Sequence, residues 1–152
     1  TQGGSLLFRA CNVAARAGVE NLREGVVMGN TGVALLRIAS LYMLVSLALG
    51  MYMALTNDRV LVSVHSHIAL LGWATMAVTG LVYLVVPGRA AHPLSRVHFW
   101  LHNAGLPVMM LSLALFEYGN AQAEPLIGLG SVLVLLSLVA FTITLFTALP
   151  GK

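Results

Sequence analysis

Charge is scarce in this chain: Asp, Glu, Lys and Arg together make up 9% of 152 residues. A soluble domain needs roughly a quarter of its residues charged to keep its surface in water, so composition excludes that class. Cysteine is nearly absent. The single Cys11 rules out an internal disulfide, and one thiol is too little for a cysteine metal cage. The first residues lack the short apolar core and small-residue cleavage site of a secretory signal, and no lipidation motif is visible. Neither a cleaved leader nor a lipid anchor is therefore expected. What the chain has is apolar surface: 59% hydrophobic residues and a mean hydropathy of +0.90. That fits a small polytopic membrane protein.

Residues 1–30 are the most polar part. Leu6, Leu7, Phe8, Val13, Val19, Leu22 and Val26 alternate with Arg9, Arg16, Glu20, Arg23 and Glu24. The pattern predicts one or two short amphipathic helices, broken near Gly18 and Gly25 and lying on the membrane surface; the alternative is a partly ordered tail. Residues 31–152 then form one four-helix domain. A run of about 23 residues, such as 33–55, covers a hydrocarbon core of about 30 Å at about 1.5 Å per residue. Arg37 lies close enough to its end to snorkel. Ser40, Ser46 and Gly50 are small positions where another helix can approach. The second span is 60–86, stopped by Pro87 and Gly88. A basic loop, 89–96, leads to a third span from Val97 to about Tyr118, with Pro107 as a kink site. The fourth span, 125–149, has Pro125 in a favourable first turn. Its Ser131, Ser137, Thr142, Thr144 and Thr147 are placed to bond back to their own helix. The expected fold is all-α: four transmembrane helices behind an amphipathic N-terminal segment.

Four spans alternate in direction. Arg9, Arg16, Arg23, Arg37, Arg89, Arg96 and Lys152 fall on one side, and Asp58, Arg59, Glu117 and Glu124 on the other. The positive-inside rule then places both termini in the cytoplasm. The basic isoelectric point of 9.5 follows from this topology and from anionic lipid headgroups, and is not a nucleic-acid signal.

Inside the second apolar run stand His65 and His67. Imidazole in hydrocarbon needs a partner, so each is a candidate functional residue. Each helical residue advances about 100°, which sets i and i+2 about 200° apart. The two rings project to opposite flanks and cannot serve one metal from one helix. Either they hold two metals, or a metal is shared with another helix or subunit. Neutral imidazole is a common axial ligand of haem iron. Ala69, Gly72 and Ala74 offer a flat surface, with Gly72 two turns beyond His65 on its flank. Arg59, just outside the membrane end, suits haem propionates. Spacing alone leaves three readings open: haem, a bare metal, or two imidazoles bonded to hydroxyls or water in a polar groove.

His98 and His102 are i and i+4 and share a face. No third ligand is evident beside them, and zinc wants three or four. They are expected to form an interfacial band with Trp100 at headgroup level, about a membrane thickness from His65 and His67. Asn103 lies deeper and needs a partner, whereas His92 is expected in a solvated loop. The scattered methionines read as packing rather than copper ligands. Thr75, Thr79 and Tyr83 follow at helical spacing, either as a polar track or as locally bonded side chains.

His65-Ser66-His67, then Leu71-Gly72-Trp73, then Gly80-Leu81-Val82-Tyr83-Leu84-Val85-Val86-Pro87 resembles the tenth transmembrane helix of the catalytic subunit of haem-copper oxidases. The likeness is closest to the C-type oxidases, in the superfamily that also holds bacterial nitric oxide reductases. His98-Phe99-Trp100, with Gly105 after it, resembles the start of the eleventh helix, so the likeness covers residues 60–115. It implies that His65 and His67 ligate two different haems of b type, in a bacterial inner membrane. The family's copper ligands lie on two earlier helices and its second low-spin haem ligand on another, and none of these has a counterpart here. Copper is therefore not expected, and whether the chain is itself an enzyme stays open. The family's large subunit resembles three arcs of four helices about a pseudo-threefold axis. A four-helix relative would rebuild that shape as a homotrimer, taking His65 from one protomer and His67 from the next. The implied function is electron transfer, with a redox protein or quinol as partner. The alternatives are an oxidase or nitric oxide reductase-like enzyme, a gas or haem sensor, and an assembly partner for a full oxidase.

Overall fold

The computed structural model describes residues 31–86 and 92–147, so the expected amphipathic segment at 1–30 lies outside the described residues. Four helices follow one another: α1 (Thr31–Thr56), α2 (Val62–Val85), α3 (Pro93–Glu117) and α4 (Glu124–Thr147), the last entered through a 3-10 turn at Ala121–Ala123. No strand occurs among the described residues. Each helix is long and apolar enough to cross a membrane. The protein is an all-α polytopic membrane protein. Its outer faces carry exposed side chains such as Leu41, Leu55, Leu70, Leu111 and Phe146, which in water would be untenable and in lipid are the solvated surface.

Tight turns join the helices. Between α1 and α2, Thr56 Oγ1 donates to the Tyr52 carbonyl (2.8 Å) and accepts from the Asp58 amide (3.3 Å), while Asp58 Oδ1 accepts from Val60 N (3.0 Å). Asn57 takes a φ of 55° there, a left-handed conformation that asparagine tolerates. Between α3 and α4, Gly119 has a φ of 92° and the Asn120 side chain accepts from Gln122 N.

The third helix starts at Pro93, four residues before the expected Val97. Proline at the first helical position lacks an amide that would be orphaned anyway, and the His92 ring caps the turn, Nδ1 accepting from Leu94 N at 3.3 Å. Histidine is not a standard capping residue, so composition pointed to a loop. This earlier start sinks the histidines of α3 deeper than the sequence suggested.

Two clusters form the interior. Val64 and Ile68 of α2 pack with Leu106, Met109 and Met110 of α3 and Val134 of α4. Leu35 and Ala39 of α1 pack with Met76 and Tyr83 of α2. The helices approach closely where side chains are smallest: Gly105 and Gly130 let the α3 and α4 backbones touch. All five hydroxyls of α4 bond back as expected, to Ile127, Val134, Leu138, Ala140 and Ile143. Asn103 finds its partner one turn back, donating to the Phe99 carbonyl at 2.7 Å. Four of the methionines, Met53, Met76, Met109 and Met110, are buried in the core.

One feature had no sequence signature. The middle of α2, Ile68–Thr75, is π-helical, between α-helical Val62–His67 and Met76–Val85. Such wide turns are rare and concentrate at functional sites. This one begins on the residue after His67.

Candidate functional site

His65 lies between α1 and α2. Its Nδ1 is 3.0 Å from the Ser46 carbonyl and 3.2 Å from Ser46 Oγ, and that hydroxyl reaches back to the His65 carbonyl at 3.4 Å. Gly50 makes room for the ring: a Cβ there would stand 3.0 Å from His65 Cε1. Of the small positions foreseen on α1, Ser46 and Gly50 serve this contact, while Ser40 is exposed and bonds Arg37 O. His67 anchors to its own helix, with Nδ1 2.8 Å from the Ser63 carbonyl.

These bonds set the tautomers. A carbonyl oxygen only accepts, so Nδ1 of both rings carries the proton and each neutral ring presents its lone pair on Nε2. Neither Nε2 makes a hydrogen bond among the described residues. An imidazole tied to a carbonyl through one nitrogen, with the other nitrogen unengaged, is the usual state of a metal-ligating histidine. His65 and His67 thus have the donor chemistry of axial haem ligands.

Gly72 is buried, and a Cβ on it would fall 2.7 Å from Cγ of Tyr42. The notch left by the missing side chain is filled by the Tyr42 ring, so Gly72 serves a contact between α1 and α2. Arg59 is exposed in the turn at the end of α2 that carries His65 and His67, and it makes no ion pair among the described residues.

The expected interfacial band of His98, Trp100 and His102 is overturned. Trp100 is 65% exposed, but His98 and His102 are both 0% exposed. Their shared face turns inward against α2 and α4. His98 Nδ1 and the Tyr83 hydroxyl share a hydrogen bond of 3.1 Å. The Phe141 ring packs on His98 at 5.4 Å between centroids. His102 Nε2 is 3.1 Å from the Leu71 carbonyl, and its Nδ1 is 3.0 Å from Ser137 Oγ. Nine residues into α3 is a depth of about 14 Å, and Leu71 is nine residues into α2 from the opposite side. His102 therefore sits at the middle of a core of about 30 Å. Along α2, Leu71 lies only six residues, about 9 Å, from His65, so the two histidine pairs are not a membrane apart. The cause is the pairing of helix faces, which turned a polar stripe inward.

The polar track is discontinuous. Thr75 donates to Leu70 O and Thr79 to Met76 O, and only Tyr83 crosses to another helix. Ser137 and Phe141 had no individual sequence signal as site residues, since each meets its histidine across a gap of more than thirty residues. Among the described residues, no three His, Cys, Asp or Glu side chains converge to hold a bare metal ion.

Fold and site together define a four-helix membrane protein with two differently housed imidazoles on one span and a sealed histidine pair beside it. No family model, curated protein or solved structure matches the chain, and the likeness to haem-copper oxidases rests on its motif residues.

Proposed function

We propose that this protein is an integral membrane b-type cytochrome that carries electrons, its haems held by His65 and His67. One observation carries the reading: both rings are fixed through Nδ1–H on a backbone carbonyl and keep Nε2 as a free donor. Haem iron, when bound, supplies a one-electron couple. The chain's own residues do the rest. Ser46 and Ser63 hold the rings in orientation, the apolar spans exclude water, and Arg59 is placed to neutralise propionates. Residues at i and i+2 diverge, so a single chain gives each iron at most one of these imidazoles. We therefore propose a homotrimer, with His65 of one protomer and His67 of the next on the same iron. On this reading the protein lies in a bacterial inner membrane with both termini cytoplasmic, and a redox protein or quinol exchanges electrons with it.

The deciding experiment is the visible spectrum of purified protein, oxidised against reduced, after expression with ample porphyrin supply. A b-type, six-coordinate spectrum is expected, unchanged when carbon monoxide is added to the reduced form. A colourless preparation overturns the assignment. A carbon monoxide shift with stoichiometric copper would instead favour an oxidase or nitric oxide reductase-like enzyme. Haem loading without electron transfer, plus co-purification with oxidase subunits, would favour a sensor or assembly partner. Light scattering in detergent, corrected for bound detergent, is expected to give three times the 16.1 kDa chain mass; a monomer excludes the shared-haem arrangement.

A further inference from the structure

We infer that His102 is a positioning residue, which locks the π-helical segment of α2 and so sets the direction in which His67 and His65 point. The inference rests on the haem reading for its functional meaning, but its structural half stands alone.

A π turn passes its hydrogen bonds from i to i+5 instead of i+4. Leu71 is at the centre of the segment. Met76 N, just past the segment, bonds the Trp73 carbonyl three residues back. At this depth no water is at hand, and a carbonyl without a full-strength partner is costly. Side chains step in at two neighbouring positions. Thr75 Oγ1 donates to Leu70 O at 2.8 Å from within the helix. His102 Nε2–H donates to Leu71 O at 3.1 Å from α3.

The second bond ties the irregular turn to the rest of the bundle. The Leu71 carbonyl can only accept, so His102 must carry its proton on Nε2. Its Nδ1 must then accept, from the Ser137 hydroxyl of α4 at 3.0 Å; the same Oγ lies 2.7 Å from the Val134 carbonyl, so its one proton is shared between the two. With the ring wholly buried, the imidazole has no freedom to swing. A strut thus runs from α4 through His102 to Leu71, one turn beyond His67. Relaxation of 68–75 to a plain α-helix would change the phase between the two ends of α2. Each residue of register is worth roughly 100° of rotation. The histidine-bearing turn would then rotate away from the Tyr83 end, and the imidazoles with it.

His98 provides the control. It is as buried as His102 and lies on the same face, but its hydrogen bond goes to Tyr83, outside the π segment. The test compares His102→Phe, His102→Gln, Ser137→Ala and His98→Phe. In haem-free protein, amide hydrogen exchange at residues 72–76 is read. In haem-loaded protein, the electron paramagnetic resonance g-values of the oxidised low-spin iron and its midpoint potential are read. His102→Phe is expected to speed exchange at 72–76 at least tenfold and to shift both the g-values and the potential. His102→Gln keeps a side-chain N–H for Leu71 and is expected to recover most of each change. Ser137→Ala frees the ring on one side and is expected to fall between. His98 packs edge-on against the His102 ring at 5.7 Å, so His98→Phe, which keeps a ring there, should change all three readouts far less than His102→Phe. Exchange and g-values in His102→Phe equal to the parent overturn the inference, as does an equal change in His98→Phe. Should His102→Phe fail to fold, Ser137→Ala decides: parent values there overturn the strut. Absence of haem in the parent protein defeats the cytochrome reading, and the exchange measurement then decides the strut by itself.

Discussion

His65→Ala and His67→Ala are each expected to reduce haem content to less than about a tenth of the parent, while His98→Ala retains it. Each of the first two changes removes an Nε2 donor that has no substitute on its own turn, because the nearby Ser63 and Ser66 offer only hydroxyls and Ser66 Oγ is already spent on the Val62 carbonyl. Loss of an outer hydrogen-bond partner leaves the ligand itself in place and typically costs about 10–100-fold in metal affinity. His98 has Nδ1 engaged by Tyr83 and its ring wedged among Tyr83, His102 and Phe141, so its removal strains packing without removing a proposed ligand. Haem per chain, measured after complete conversion to a pyridine adduct, checks all three variants. Exogenous imidazole is expected to restore part of the absorbance in the first two. Full haem retention in both would contradict the assignment of these residues.

Gly130→Ala is expected to be the most damaging single-methyl substitution in the described helices. A Cβ there would lie 2.6 Å from Met109 N, 2.7 Å from Met109 Cβ and 2.8 Å from Met109 Cα. None of these atoms is the end of a flexible side chain, so α3 and α4 must separate. Separation also disturbs Gly105, whose Cβ position is 2.7 Å from Leu133 Cβ and 3.0 Å from Gly130 O. In membranes, helices associate largely through such close packing of small residues. Overpacking of this kind costs about 1–3 kcal/mol, outweighing the gain of about 1 kcal/mol that alanine brings over glycine in a helix. Gly128, two residues earlier, has nothing within 4 Å of its Cβ position. Gly128→Ala is therefore expected to be neutral or stabilising by up to about 1 kcal/mol. Unfolding in mixed micelles of rising denaturing-detergent fraction measures both. Equal stabilities would mean that the α3–α4 crossing is not set by Gly130.

The histidines show where sequence reasoning reached and where it stopped. For His65 and His67 the helical period alone separated the two rings, and burial inside an apolar run made them expensive enough to stand out. For His98 and His102 the same period put both on one face, but gave no hint of which way that face turned. Placing the α3 start at Val97 pushed them toward the headgroups. The actual start at Pro93, capped by a histidine, moved them inward by a full turn. Gly72 shows the reverse case: its missing side chain was visible, but that Tyr42 fills the space was not.

Composition by itself determined a four-span membrane protein, because hydrophobicity summed over about twenty residues needs no knowledge of neighbours. Backbone geometry, also local, determined that His65 and His67 diverge. Only the tertiary structure decided which imidazoles are sealed, which tautomers they hold, and that α2 widens into a π turn. Those outcomes depend on partners far along the chain: Leu71 is 31 residues from His102, and Ser137 is 35. A hydrogen bond across such a gap leaves no local pattern, since it exists only once helix faces have chosen one another.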